Sequence, residues 1–129
     1  MILDSSAVVA LLLREPGCER FLAALAAAPS VGIGAPTLVE TTIVLSARLG
    51  QDARGLVSRF LDEADVMLVP FTDVHFGTAL DAWLRFGRGR HPAGLNFGDC
   101  LSYATARVAG QPLLFTGEDF AKTDLEAAA

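Results

Sequence analysis

Met1-Ile2-Leu3-Asp4-Ser5-Ser6-Ala7-Val8-Val9-Ala10-Leu11-Leu12-Leu13 opens the chain, and its reading decides the fold. Three apolar residues run straight into an acid, which reads as a short buried strand ending at Asp4. Ser5 and Ser6 are residue types that cap helices. Ala7 to Leu13 is apolar on every side, so it reads as a short buried helix, stopped before Pro16.

The rest of the chain repeats that alternation. Gly17 to Ala28 is a second helix, ended by Pro29, and Val31 to Gly34 is a brief strand. Pro36 starts a third helix that runs to about Leu49, with Gly50 just beyond it. Gln51 to Ala64 carries Leu56, Val57, Phe60 and Leu61 at helical spacing. Val66 to Val69 is a strand closed by Pro70, and Asp73 to Phe86 is an amphipathic helix. Gly87 to Gly94, with its glycines and arginines, is the longest flexible stretch. Asn96 caps the next helix, with Asp99 three residues on, and that helix ends at Gly110. Pro112 to Phe115 is the last strand, Asp119 and Phe120 form a turn, and Glu126 to Ala129 is expected to be loose. Strands alternating with helices imply a parallel sheet covered by helices. The expectation is an α/β fold of three layers in one domain spanning residues 1–129. It has a mainly parallel sheet of four or five strands and helices on both faces.

Composition narrows the function. The chain has 129 residues, 52% hydrophobic and 19% charged, which excludes disorder as a general state. Its apolar runs fall far short of the roughly 18 residues of a membrane span, and no basic segment precedes an apolar stretch at the start. No membrane role is expected, and cytoplasm is the expected location. Cys18 and Cys100 form neither a CxxC pair nor a zinc spacing, so both read as reduced, buried thiols. Net charge is −5, and nine of the ten bases are arginine. An acidic surface does not by itself attract phosphate. Two features reverse the sign locally: carboxylates that hold a metal ion, and the cluster Arg85, Arg88, Arg90 beside His91.

In parallel α/β sheets, ligands bind beyond the carboxyl ends of the strands. Four acids fall at that edge: Asp4 after the first strand, Glu40 in the helix after the second, Asp99 at the start of the helix after the Arg-Gly loop, and Asp119 after the last strand. Each alone has an ordinary reading, as a cap, a helix-dipole partner or a turn former. Together they are harder to dismiss. Two carboxylates about 4 Å apart repel by about 4 kcal/mol at an effective dielectric near 20. Protonation, arginine pairing or a divalent cation relieves that repulsion, and all-oxygen ligation suits Mg²⁺ or Mn²⁺. His75 reads as structural and His91 as loop packing. Trp83, at helical spacing with Leu80 and Leu84, reads as core or interface.

These residues resemble a family. Met1 to Ala10 looks like the opening of a PIN domain, where Asp-x-Ser ends the first strand. Pro36-Thr37-Leu38-Val39-Glu40 resembles its second acidic segment. Gly87 to Cys100, through Leu95-Asn96-Phe97-Gly98-Asp99, resembles the third segment as it stands in the VapC toxins of bacterial toxin–antitoxin pairs. Pro112 to Phe120 is similar to their C-terminal segment. The resemblance implies a Mg²⁺- or Mn²⁺-dependent endoribonuclease, a toxin held inactive by a VapB-like antitoxin, with RNA as substrate. It implies a homodimer or a hetero-oligomer with the antitoxin. Asp4, Glu40 and Asp99 carry over as the acidic triad that binds metal and performs catalysis. Many PIN domains place a fourth acid where this chain has Gly117, which leaves Asp119 as the substitute and Thr116 as a polar helper. Ser6 matches the Ser of Asp-x-Ser, orienting Asp4 or reaching metal through water. Arg88 and Arg90 are the candidate RNA contacts.

Three other readings compete. A phosphoacceptor receiver domain needs an acidic pair after the first strand and a lysine near the last, whereas here Ser5-Ser6 follow Asp4 and Lys122 lies beyond Asp119. A haloacid-dehalogenase-type phosphatase needs Asp-x-Asp, and Ser6 stands in place of the second acid. A catalytically idle PIN-like protein-binding module is the alternative that Gly117 supports.

Overall fold

The computed structural model describes Met1–Ala129. Its elements run β1 (Ile2–Leu3), α1 (Ser5–Leu12), α2 (Glu19–Ala27), β2 (Val31–Gly34), α3 (Ala35–Leu49), α4 (Arg54–Glu63), β3 (Val66–Val69), α5 (Asp73–Phe86), α6 (Phe97–Ala109) and β4 (Leu113–Leu114), with a 3₁₀ turn at Phe120–Lys122. The strands form one parallel sheet in the order β3-β2-β1-β4. The expected architecture holds, with four strands.

Alternation within the strands sets the layers, because successive strand residues point to opposite faces. Leu3, Ile33 and Leu114 join Ala7, Val8, Leu11 and Phe21 under α1 and α2. Ile2 and Leu113 join Ala82, Phe86, Cys100 and Tyr103 under α5 and α6. Leu45 of α3 packs with Val9, Ala53 and Val57 in a third, smaller cluster. Five consecutive residues of α1, Ala7 to Leu11, are buried, as a helix apolar all round requires. Helix α6 lies tight on β2: a Cβ on Gly34 would stand 2.7 Å from the Thr105 hydroxyl.

Helix boundaries shift where side chains offer better partners. Ser5 and Ser6 do not cap α1. Asp4 is the N-cap, its carboxylate accepting from the Ser6 backbone N–H at 3.0 Å, because a carboxylate is the stronger acceptor. Helix α4 begins at Arg54, not Gln51, after Asp52 takes up the Arg54 backbone N–H and guanidinium. Asn96 and Asp99 form the reciprocal capping box of α6 as their spacing implies.

The tail is a correction. Glu126 to Ala129 is not loose: Leu113 donates its N–H to the Glu126 carbonyl and accepts from Ala128 N–H, both at 2.9 Å. These bonds satisfy the outer edge of β4, which would otherwise be left unpaired. Asp124 anchors the approach, accepting from the Tyr103 hydroxyl at 2.7 Å and pairing with Arg85 and Arg107 at 3.2 and 3.4 Å. Burial opposes the charge on Asp124, yet the Tyr103 hydroxyl and the two arginines outweigh it and hold the carboxyl below its usual range.

Removing residues 126–129 deletes two backbone hydrogen bonds, each contributing about 1 kcal/mol net. Thermal unfolding of the truncated chain should show a Tm lower by several degrees. An unchanged Tm would mean the tail contributes nothing to β4.

Candidate active site at the carboxyl edge of the sheet

Parallel pairing brings all four strand ends to one edge, and β1 lies inside the sheet between β2 and β4. The residue that follows β1, Asp4, is therefore buried, at 3% exposure. Both of its oxygens accept. One takes the Ser6 backbone N–H at 3.0 Å and the Ser6 hydroxyl at 2.5 Å, and the other takes the Ser102 hydroxyl at 2.5 Å. Ser6 thus orients Asp4 directly. Thr116 enters through its backbone: its N–H donates to the Ser6 oxygen at 3.1 Å.

Asp99 stands in the first turn of α6. One of its oxygens accepts the Asn96 N–H at 3.0 Å, so the capping role is real and leaves the other oxygen uncommitted by that bond. Its carboxyl is pushed up to about 6. Burial is the largest cause, the Asn96 N–H opposes it, and the charges of Asp4, Asp119 and Glu40 add to the rise. One group thus registers the other three. The Glu40 carboxylate lies over Gly98, where a Cβ would overlap it. Asp119 is exposed beside the 3₁₀ turn. Gly117 has φ +83°, a left-handed conformation that glycine adopts freely, so the turn is built around the residue that replaces the expected acid.

The four acids share one field but do not close into a ready-made ligand cluster: no three of them stand close enough together to grip an ion. Asp4 and Asp99 are held by protein donors. The donor set is nonetheless all oxygen and net negative, which fits a hard divalent cation.

Other residues fall as read, or elsewhere. His75 is buried, its Nδ1 accepting the Thr72 N–H in the cap of α5. His91 packs edge-on against Phe86 and accepts from Ala93 N–H. Arg88 is exposed. Arg90 is pinned, its guanidinium over the Trp83 ring at 4.9 Å and its Nε donating to the Leu84 carbonyl at 3.1 Å. Neither arginine pairs with any of the four acids. Both cysteines are buried and free. Burial, then the charge of Asp99, pushes the Cys100 thiol up to about 11, which makes it unreactive. Ser102 and Thr37, which the sequence does not single out as site residues, lie fully inside. The only signal was their spacing: three residues after Asp99 and three before Glu40.

A parallel sheet with acids at its carboxyl edge is the arrangement a PIN domain carries, and the PIN domain family model matches residues 1–126. Ribonuclease VapC36 of Mycobacterium tuberculosis is 50% identical over 127 residues, covering 98% of this chain and 91% of that one. The chain belongs to the PIN-domain family and, within it, to the VapC ribonucleases. Two solved structures share the fold. VapC20 of Mycobacterium tuberculosis, a sarcin–ricin loop cleaving toxin, superposes with a TM-score of 0.76 at 22% identity, covering 96% of this chain and 95% of that one. A toxin–antitoxin complex from Klebsiella pneumoniae gives 0.70 at 17% identity, covering 95% and 92%.

The raised Asp99 makes a prediction for the metal-free protein. A folded-state pKa above the unfolded one means that ionised Asp99 destabilises the fold. The penalty is absent below about pH 4, where both states are protonated, and complete above about pH 6. Asp99→Asn keeps the capping acceptor and removes the charge. At pH 7.5 in chelator it should unfold at a Tm a few degrees above wild type, about 1 kcal/mol after discounting for solvent screening at this half-exposed site. The gain should vanish towards pH 4. Equal Tm values at both pH values would show that Asp99 is not electrostatically strained.

Proposed function

We propose that this chain is a Mg²⁺- or Mn²⁺-dependent endoribonuclease toxin, acting in the cytoplasm as a single PIN-like domain and neutralised by a VapB-like antitoxin. One observation carries the reading: the fold brings Asp4 after β1, Asp99 in the first turn of α6 and the Glu40 carboxylate over Gly98 to the same edge of the sheet. Asp4 and Asp99 are the first-choice metal ligands, Glu40 a ligand or water-positioning base, and Asp119 a secondary ligand. A divalent ion bound there supplies charge neutralisation and an activated water for phosphodiester hydrolysis.

The protein's own part is positioning. Ser6, fixed by the Thr116 N–H, holds Asp4 at the mouth. Gly98 admits the Glu40 carboxylate beside Asp99. Arg88, exposed on the 87–95 loop, meets the RNA backbone, and Arg90 joins it by leaving its stack on Trp83.

Two surfaces support partners. The acidic mouth attracts a basic antitoxin segment, since arginine pairs bidentately with carboxylates, and apolar residues of α1 to α4 receive an amphipathic helix. Val39 and Ile43 of α3, Phe76, Leu80 and Trp83 of α5, and Phe97 of α6 are exposed. They line two grooves that meet at Phe97 and Leu101, a face that supports a homodimer.

The purified protein should cleave structured RNA with Mg²⁺ or Mn²⁺ and not with chelator. Asp4→Ala should abolish cleavage and toxicity, whereas Arg88→Ala should weaken RNA binding, flatten its salt dependence and leave residual cleavage at high RNA. Chelator-resistant cleavage, or full activity in Asp4→Ala, would place the nuclease elsewhere. Absence of cleavage under every condition would favour the idle binding module.

Gly98→Ala separates site from fold. Alanine is the better helix former by about 0.5–1 kcal/mol, so Tm should hold or rise. Its Cβ displaces the Glu40 carboxylate, so cleavage should fall at least about tenfold, the range for removing a ligand's support. Undiminished cleavage would remove Glu40 from the site.

A further inference from the structure

Proton accounting around Asp4 singles out a residue on another helix. The Asp4 carboxylate only accepts, so the Ser102 hydroxyl 2.5 Å from it spends its single proton there. The Thr37 hydroxyl lies 3.3 Å from the Ser102 oxygen, and either atom could donate that bond in isolation. With the Ser102 proton committed, Thr37 must be the donor. The chain therefore runs Thr37 to Ser102 to Asp4, with each bond polarised towards the carboxylate. A second chain runs from the Thr116 N–H through Ser6 to the other oxygen. Ser102 and Thr37 are 0% and 2% exposed, so water has little access to replace either hydroxyl.

Position adds to this. Ser102 lies on α6 three residues beyond Asp99, one turn along the same helix face. Thr37 lies on α3 three residues before Glu40. One buried hydroxyl pair therefore joins the β1–α1 junction, α6 and α3, the places that carry the three principal acids.

We propose that Ser102 is the positioning residue of the site: its hydroxyl, backed by Thr37, sets the direction of the Asp4 carboxylate relative to Asp99 and Glu40 and thereby the site's affinity for a divalent cation. This rests on the reading of those carboxylates as the cleavage site. Partners of this kind, one step behind a ligand, typically govern metal affinity or activity by 10- to 100-fold.

The test compares Ser102→Ala, Ser102→Cys and Thr37→Val with wild type and Asp4→Ala. Cysteine keeps the approximate volume of serine with a much weaker donor, and valine keeps the shape of threonine with none. Three quantities are measured: Tm in chelator, Mn²⁺ affinity by calorimetry without RNA, and kcat and KM for RNA cleavage. Ser102→Ala should bind Mn²⁺ about tenfold more weakly and lose a similar factor in kcat, with KM for RNA unchanged. Ser102→Cys should fall between alanine and wild type, and Thr37→Val should show a smaller loss in the same direction. If Ser102→Ala does not fold, the other two variants decide. A lowered Tm with wild-type Mn²⁺ affinity and kcat would make the hydroxyl merely structural and overturn the proposal, while an inactive Asp4→Ala would leave the cleavage site standing. A wild-type protein that neither binds Mn²⁺ nor cleaves RNA would overturn both.

Discussion

Asp4 is a carboxylate buried at the end of an interior strand, where an acid without donors would cost several kcal/mol. Much of the surrounding structure answers that cost. The parallel register puts Asp4 between the ends of β2 and β4. Helix α1 begins directly after it and offers the Ser6 N–H. Ser6 itself is held by a backbone N–H from beyond β4, and Ser102 arrives from α6. Donors thus come from three separate parts of the chain, and they meet only if the sheet has closed in its observed order. The charge at the mouth and the topology are one constraint.

The structural and the functional readings of these acids are therefore not alternatives. Asp4 caps α1 and faces the mouth. Asp99 caps α6 with one oxygen and leaves the second free of that bond. Helix N-termini carry partial positive charge, so they tolerate acids that a strand end alone would not. A fold that starts two helices at one sheet edge can assemble like charges there without losing its caps. The residual strain collects on Asp99, the partly buried member that receives the field of the other three.

What was legible in the sequence follows from range. Strand and helix alternation came through because each element is short and bounded by Pro, Gly or a cap, and those signals are local. The Asn96–Asp99 box is local too. Ser102 was not legible, because a serine in mid-helix has many ordinary explanations and its partner Asp4 is distant in the chain. The tail was misread as loose because its attachment is a pair of backbone bonds, which leave no mark in the side chains of Glu126 to Ala129. Ser5 and Ser6 were overvalued as caps because the preceding acid, already assigned to the mouth, was not counted as a competitor. Arg90 reads as an RNA contact because nothing local reveals that the Trp83 ring lies under it.

An acidic chain that acts on a polyanion needs its charge arranged rather than balanced. Carboxylates are gathered at one edge, where a bound cation would reverse their sign, while the arginines of the 87–95 loop pair with none of them. Phe97 is the point where this electrostatic arrangement meets the apolar one. It is 80% exposed, begins the helix that carries Asp99, and stands where the two apolar grooves join. One of those grooves is also lined by Glu40 and Gly98. A protein partner seated over Phe97 would border the acidic mouth, so burying the apolar face and controlling access to the carboxylates become a single event. Phe97, two positions before Asp99, thus brings the apolar face and the carboxylate edge together at the start of one helix.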